Sequence, residues 1–165
     1  MEIMRTFGPA LSPMNAWLLL QGLESLHVRM DRHCANALAV ARFLKDHPRV
    51  AWVNYPVLSG DRYFVLAKKY FPKGASGLLN FGVKGGARAG ERFIEAAQFM
   101  GHLANIGDAK TLVIHPASTT HRQMDEADQL KAGVTPDMVR MSVGIESLDD
   151  ILWDIDQALA ESGKA

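Results

Sequence analysis

The chain has 165 residues, of which 48% are hydrophobic and 22% charged, a composition typical of a globular protein with room for one core. Its eighteen basic and eighteen acidic residues cancel, so no net field would concentrate nucleic acid or an anionic membrane. No apolar run approaches the roughly 20 residues of a membrane span, and the chain start lacks the apolar segment of a signal peptide. The single cysteine, Cys34, cannot form an internal disulfide, and we expect a soluble, cytoplasmic protein.

After a short extended start, the first quarter of the chain predicts a long helix. Ser12 and Pro13 have the residue types preferred at a helix N-cap and at the first helical position. The segment 17–23 is apolar nearly all round, which indicates burial on several sides. If the helix continued from Pro13 to Asp46, it would be about 50 Å long. So long and so apolar a helix is typical of one that joins two domains, and it indicates a missing neighbour.

The remaining pattern predicts short strands and helices in turn. Strands are predicted at 50–55, 77–84 and 139–144, helices at 61–70, from 85, at 125–133 and from 147, and short apolar pieces at 102–106 and 112–114. Ser147–Asp150 resembles a capping box with aspartate in place of the usual glutamate. Together the elements predict an α+β fold, an α/β sandwich whose sheet has about four mostly antiparallel strands and helices on one face.

The predicted strand at 139–144 carries the most suggestive charge of the chain. Its apolar positions, Val139, Met141 and Val143, alternate with polar ones. Arg140 therefore points to the face opposite the apolar side chains. A guanidinium fixed on a strand offers N–H donors that match a carboxylate or a phosphate. A surface charge near a strand end is the alternative, and spacing alone favours it.

Other polar groups are interpreted structurally. The two histidines of the loop His115–His121 lie six positions apart, outside the usual zinc spacings, and no further Cys/His pair supports them. The loop is therefore interpreted as a polar turn whose hydroxyl groups bond local backbone, and no metal is predicted. Cys34 lies on the apolar stripe of the long helix, as expected of a small buried side chain rather than a nucleophile. The lysines at 68–73 are interpreted as a solvated helix end, since the overall charge is neutral.

Three stretches together resemble a known family. They are F-G-P-A-L-S-P-M-N-A-W-L-L-L-Q-G-L-E-S-L-H-V-R-M-D-R-H (7–33), N-I-G-D-A-K-T-L-V-I-H-P-A-S-T-T-H (105–121) and V-T-P-D-M-V-R-M-S-V-G-I-E (134–146). In this order and at these separations they resemble the carboxyl-terminal part of the Cys/Met-metabolism family of pyridoxal-phosphate enzymes. The resemblance covers essentially the whole chain. It implies pyridoxal phosphate as cofactor, a small amino-acid substrate and a homotetrameric complete enzyme.

The resemblance also implies a reaction and three substrate-binding residues. The Asn105–Asp108 version of the second stretch favours the members that convert O-acetyl-L-homoserine and sulfide to homocysteine and acetate. Cystathionine γ-synthase, the cystathionine lyases and methionine γ-lyase remain alternatives. By the resemblance, Arg140 holds the α-carboxylate of the substrate and Asn105 stands beside that carboxylate, where relatives often carry serine. Thr120 matches a threonine that lines the substrate side of the pocket.

The cofactor-binding half of the family is absent from the sequence, and with it the Schiff-base lysine. None of the eight lysines stands in the expected context, so no catalytic or cofactor-binding residue is assigned to this chain. The resemblance divides the chain into 1–46, a segment from the cofactor domain plus the long interdomain helix, and 47–165, the carboxyl-terminal substrate-side domain. It predicts that the isolated chain is inactive. A non-catalytic remnant that self-associates through the apolar segment 17–23 is the alternative from another class.

Overall fold

A five-stranded sheet forms the centre of the computed structural model, which describes residues 2–8 and 10–164. Its strands lie in the order β1-β2-β5-β4-β3, and all neighbours are antiparallel except β3 and β4, which are parallel. The strands are β1 Val50–Asn54, β2 Leu78–Val83, β3 Gly101–His102, β4 Leu112–Ile114 and β5 Met138–Ser142. The α+β class and the mostly antiparallel sheet are confirmed. The strand beyond the four expected is β3, whose two residues are too few to show an alternating pattern.

Seven helices lie before, between and after the strands in the part of the sequence that the structure describes. They are α1 Glu2–Phe7, α2 Pro13–Glu24, α3 Leu26–Asp46, α4 Phe64–Tyr70, α5 Gly86–Ala96, α6 Glu126–Lys131 and α7 Leu148–Glu161, with a 3-10 turn at Pro116–Ser118. The predicted extended start is wrong, because α1 occupies it. No residue of α1 is a helix breaker, and the helix ends before Gly8, whose φ of +58° suits a helix C-terminus.

The long amino-terminal helix is interrupted at Ser25. The predicted start of α2 is confirmed, because the Ser12 hydroxyl accepts a hydrogen bond from the backbone N–H of Asn15 at 3.2 Å. Ser25 has φ −99° and ψ 5°, and α3 begins at Leu26. In the sequence, Gly22 marks a place where a bend would be tolerated, but the apolar period continues across Ser25, so the break three residues later is not predicted. The result is two helices instead of one rod of about 50 Å.

The core lies between one face of the sheet and the helices α3, α5 and α7, which confirms helices on one face. Two aromatic rings pack together in this core: Phe81 of β2 contacts Phe93 of α5 edge to face, with 5.4 Å between the ring centres. The sheet contributes Leu79, Phe81, Val83, Val113, Val139 and Met141, and the helices contribute Ala37, Val40, Ala41, Leu44, Phe93, Ile94, Ile151, Ile155 and Leu159.

A buried carboxylate ties α7 to the turn between α5 and β3. Asp154 has no exposed surface, and its side chain accepts four hydrogen bonds. Oδ1 accepts from the backbone N–H of Gln98 at 2.9 Å and from Gln157 Nε2 at 2.7 Å. Oδ2 accepts from the backbone N–H groups of Phe99 at 2.9 Å and Met100 at 2.8 Å. Converging N–H donors of this kind compensate the burial of a carboxylate.

The structure tests where the sequence predicted α6 and α7 to begin. Asp125 caps α6, since its carboxylate accepts from the backbone N–H of Asp128 at 2.8 Å, and the chain turns at Gly133 with φ +79°. The capping box predicted for α7 is wrong, because the Ser147 side chain makes no capping bond. The carboxylate of Asp150 is one methylene shorter than that of the glutamate this motif requires.

The first two helices lie outside the core. No residue of α2 is buried, and the side chains of Trp17 and Leu20 are 54% and 60% exposed. The apolar amino-terminal surface consists of Phe7, Leu11, Met14, Trp17, Leu18, Leu19, Leu20, Leu23 and Val28. Across the described ranges of the chain, no helix has the length and apolar character needed to cross a membrane.

Candidate functional site

Arg140 lies at the centre of the sheet, on the face opposite the helices. Its directly opposed residues are Asn80 of β2 and Ile114 of β4, and Asn80 in turn opposes Asn54 of β1. Opposed residues of antiparallel strands point to the same side of a sheet. Asn54, Asn80, Arg140 and Ile114 therefore form one row of side chains, which we call the arginine row. Because β5 is hydrogen-bonded on both sides, the backbone that carries Arg140 is fixed.

The guanidinium of Arg140 is half-buried and has no bonding partner in residues 2–8 and 10–164. The ion pairs of that part of the chain join other groups: His47 with Asp156, Lys131 with Asp128, and Lys164 with Glu161. The carboxylate of Asp137, three residues before Arg140, accepts instead from Trp52 Nε1 at 2.8 Å and from the Thr135 hydroxyl at 2.6 Å. A donor fork without a protein acceptor is available to an external carboxylate.

Asn80 is a candidate that the sequence analysis missed. Its Oδ1 atom is buried and has no hydrogen-bond partner, although it belongs to the residue directly opposite Arg140. An unpaired buried acceptor costs about 1–3 kcal/mol, so such an atom marks a place where a donor is expected. The only signal in the sequence is an asparagine within the apolar strand β2. Its relation to Arg140 depends on strand register, which the sequence does not show.

The Asn105 loop lies at the carboxyl-terminal end of β5. The backbone N–H of Gly107 donates to the Ser142 hydroxyl at 3.3 Å, and Ser142 follows Arg140 by two residues on the same face of the sheet. Asn105 itself is exposed, and its Oδ1 accepts from the backbone N–H of Ile106 at 2.9 Å. The structure thus brings the loop close to the arginine row, but no hydrogen bond joins Asn105 to Arg140 in the described residues.

The Thr120 loop lies at the other end of β5. The ring of His115 is buried, and its Nε2 lies 2.7 Å from the carbonyl oxygen of Pro136, so this nitrogen must donate. Thr119 donates its hydroxyl to the His115 carbonyl at 2.8 Å, as expected for a polar turn that bonds local backbone. Thr120 is exposed, and its hydroxyl lies 2.9 Å from His121 Nδ1 rather than against Arg140.

The helix α3 is fastened to the segment that follows β5. His33 Nδ1 donates to the Val143 carbonyl at 2.6 Å, and Asn36 Nδ2 donates to the carbonyls of Gly144 at 3.0 Å and Glu146 at 3.1 Å. The Glu146 carboxylate accepts from both the backbone N–H and the hydroxyl of Thr111, at 2.6 and 2.8 Å. These bonds hold the carboxyl-terminal end of the Arg140 strand in place.

A mostly apolar cleft of about 540 Å³ adjoins the arginine row on the β1 side. Asn54 and Asn80 line it together with Met30, Pro56, Phe71 and Leu78. An apolar cleft lined at one side by two amides, one of which belongs to the residue opposite Arg140, suits a small molecule with a polar head and a short aliphatic part.

Tyr55 lies behind this cleft and is buried. Its hydroxyl donates to the carbonyl of Ser76 at 2.9 Å. Burial, with a smaller contribution from Cys34, raises the pKa of Tyr55 above its ordinary value, so the phenol stays neutral. Cys34 is half-buried and packs against Gly74, where a Cβ would lie 2.7 Å from its sulfur.

The chain offers neither a lysine suited to a Schiff base nor a metal centre in the part that the structure describes. All eight lysines are exposed, whereas a cofactor lysine is normally desolvated so that its amine loses its proton near neutral pH. Between residues 2 and 8 and between 10 and 164, no three His, Cys, Asp or Glu side chains are grouped to hold a metal ion.

Comparisons with known proteins identify the family of the chain. The sequence pattern of the Cys/Met metabolism PLP-dependent enzyme family matches residues 1–160. O-acetyl-L-homoserine sulfhydrylase of Leptospira meyeri is 54% identical over 157 residues, which are 94% of this chain and 36% of that protein. Homocysteine synthase of Schizosaccharomyces pombe is 48% identical over 158 residues, which are 96% of this chain and 37% of that protein.

A solved structure gives the same result in three dimensions. An O-acetylhomoserine (thiol)-lyase structure from Campylobacter jejuni, which carries N'-pyridoxyl-lysine-5'-monophosphate, matches with a TM-score of 0.88 at 48% identity. The match covers 95% of this chain and 37% of that chain, so the chain spans little more than a third of the length of the relatives it matches. The family resemblance of the three sequence stretches is confirmed: this chain belongs to the Cys/Met metabolism PLP-dependent enzyme family.

Proposed function

We propose that this chain forms the substrate-carboxylate side of an enzyme that converts O-acetyl-L-homoserine and sulfide to homocysteine and acetate. The observation that carries the proposal is Arg140, a half-buried guanidinium fixed on the central strand without a protein acceptor in the described ranges. The names of the relatives that are 54% and 48% identical support the reaction. Cystathionine γ-synthase, the cystathionine lyases and methionine γ-lyase remain alternatives, because they share the same amino-acid carboxylate.

In this proposal the chain binds and orients the substrate. Arg140 donates two N–H groups to the α-carboxylate, and Asn105 and Thr120 approach from the loops at the two ends of β5. Asn80 accepts one further N–H of the Arg140 guanidinium and so fixes the plane in which the fork meets the carboxylate. The pairing of Asn80 with Arg140 in the strand register supports this role.

The cofactor comes, in this proposal, from a part of the enzyme that this chain does not match. Pyridoxal phosphate supplies the electron sink when it is bound. The exposure of all eight lysines supports a cofactor lysine outside residues 1–165. We therefore assign residues 1–46 to the junction with the cofactor domain and 47–165 to the substrate-side domain. The exposed apolar surface of α2 supports a covering neighbour. In this proposal the isolated chain is inactive, and the complete enzyme works in the cytoplasm.

The test is Arg140→Ala in the active enzyme that contains this chain, with two substrates. One is O-acetyl-L-homoserine, and the other is its carboxamide, which lacks the negative charge. Each hydrogen bond to a charged group contributes about 1.5–3 kcal/mol, so losing the fork should lower kcat/KM for the acid by about 100-fold or more, mainly through KM.

The carboxamide serves as the control. The native enzyme should prefer the acid strongly, whereas the Arg140→Ala enzyme should treat the acid and the amide almost alike. If the substitution lowers kcat/KM equally for both substrates, Arg140 does not read the carboxylate and the proposed role is wrong.

Self-association remains a second candidate function, favoured by the same exposed α2. An apolar surface of this extent marks a contact with another protein surface. Sedimentation of the purified chain distinguishes the two cases: a dimer or larger oligomer that Trp17→Glu converts to monomer supports self-association, whereas a monomer at all concentrations argues against it. A homo-oligomeric complete enzyme is proposed on the family relation alone.

A further inference from the structure

A second cleft, of about 560 Å³, is lined by an unusual concentration of positive charge. Arg49, Lys84, Arg88, Arg92 and Lys164 contribute their side chains to it, with Gly85, Ala89, Ser162 and Gly163 between them. We call it the basic cleft. Among the residues that the structure describes, none of those lining it is acidic, although acidic and basic residues are equally numerous in the chain as a whole.

The fold brings these side chains together from three separate parts of the sequence, around residues 49, 84–92 and 162–164. Arg49 precedes β1 and Lys84 follows β2, and the register that opposes Val50 and Val83 places these two strand ends side by side. Arg88 and Arg92 lie one turn apart on α5, which packs against α7 on the helix side of the sheet. The basic cleft therefore lies on the opposite side of the sheet from the arginine row.

Little of this charge is neutralised within the residues that the structure describes. Lys84 Nζ donates to the carbonyl of Pro48 at 2.7 Å, and Arg92 donates to the carbonyl of Lys164, but a carbonyl carries no net charge. Of these five basic side chains, Lys164 alone has a carboxylate partner, Glu161, within residues 2–8 and 10–164. Arg88 and Arg92 stand at i and i+4 of α5, where like charges repel, and the glutamates of the same helix, Glu91 and Glu95, form no ion pair with them in the described residues. The cluster therefore carries a free-energy cost that a bound anion would remove.

Arg49, which lines the basic cleft, has a hydrogen-bond donor without an acceptor. Its Nε atom is buried and has no hydrogen-bond partner. The guanidinium lies over Gly163, where a Cβ would be 1.7 Å from Nη2, so a larger residue at 163 would force the guanidinium to move. A buried donor without an acceptor is costly, and two arginines offer the planar donor groups that match the oxygens of a phosphate or sulfate.

We propose that the basic cleft binds an oxyanion of the phosphate or sulfate type that carries at least two negative charges. Arg49 and Arg88 donate to its oxygens, while Lys84 and Arg92 supply charge at longer range. The amino-terminal end of α5 opens at Gly85, without a side-chain cap, and its partial positive charge adds to the same field. The assignment does not depend on the reaction of the enzyme.

The experiment is an NMR titration of the purified chain with inorganic phosphate, sulfate, pyrophosphate and a simple phosphate monoester. Sodium chloride at about 0.1 M screens charges separated by more than about 10 Å and so suppresses non-specific attraction. We expect saturable shifts of the backbone amides near residues 49, 84–92 and 162–164, with pyrophosphate the tightest ligand. Preference for the monoester over inorganic phosphate would identify an esterified ligand, and the reverse preference a free ion.

Arg88→Gln is the main variant, because Arg88 is exposed and its loss leaves the core unchanged. Removing one charged donor should weaken pyrophosphate binding by about tenfold. Arg42→Gln removes the same charge from an exposed site on α3 outside the basic cleft and should leave the affinity unchanged. Shifts that do not saturate, shifts elsewhere on the chain, or equal weakening by both variants would overturn the proposal.

Discussion

Replacing Asp154 by asparagine tests whether the four hydrogen bonds at this carboxylate stabilise the fold. An amide offers only one acceptor oxygen, so it can keep two of the four bonds, whichever way it turns. The NH₂ group then faces two N–H donors that have lost their acceptor inside the protein. At about 1.5 kcal/mol for each bond to a charged group, the free energy of unfolding should fall by about 3 kcal/mol.

The assay is urea unfolding of the purified chain, followed by circular dichroism and analysed for midpoint and slope. Asp156→Asn is the matched control, since it makes the same chemical change two residues along the same helix. The side chain of Asp156 is 65% exposed and only meets His47 at 3.2 Å, so this variant should lose less than about 1 kcal/mol.

A loss below about 1 kcal/mol for Asp154→Asn, or equal losses in both variants, would refute the reasoning. Hydrogen exchange gives an independent readout. The backbone amides of Gln98, Phe99 and Met100 donate to the carboxylate in the native chain, and at least one of the three should exchange faster in Asp154→Asn but not in Asp156→Asn.

Asn80→Asp tests the arginine row, with Asn54→Asp as its control, and Tyr55→Phe tests the residue behind the adjoining cleft. In the active enzyme, Asn80→Asp places a carboxylate opposite Arg140 that competes with the substrate, so KM should rise by about tenfold or more. Asn54→Asp makes the same change one strand farther away, and an equal rise there would contradict the assignment. Tyr55→Phe removes the bond to Ser76 and should cost about 1 kcal/mol at neutral pH. Because folding raises the pKa of Tyr55, the native chain keeps its full stability advantage over Tyr55→Phe below about pH 10. Above that pH the difference in free energy of unfolding should shrink by up to about 1.4 kcal/mol per pH unit. A difference that stays constant up to about pH 11 would show that the ionisation of Tyr55 does not affect stability.

Predictions from the sequence succeeded where the signal is local. The cap at Ser12, the helix that begins at Asp125 and the strand around Arg140 each depend on residues within a few positions of one another. These signals act through the backbone of the same segment, so they do not depend on the rest of the fold.

Features that depend on distant contacts were not predictable. The break at Ser25 leaves the apolar period intact, and the pairing of β3 involves only Gly101 and His102. The register that places Asn80 opposite Arg140 joins residues 60 positions apart in the sequence. Loop position is the clearest case: the sequence named Asn105 and Thr120 by resemblance, but only the fold shows that their loops lie at opposite ends of β5.

The strand order has a consequence for how the chain folds as it is synthesised. β5 occupies the middle of the sheet, yet it is the last strand to leave the ribosome. Until Met138–Ser142 emerge, the facing edges of β2 and β4 have no partner, and open edges are where nascent chains associate wrongly. The bonds from His33 and Asn36 to the end of this strand span 110 and 108 residues, so they also form last. Arg140 lies on this last strand, so a nascent chain cannot form the arginine row before β5 has completed the sheet.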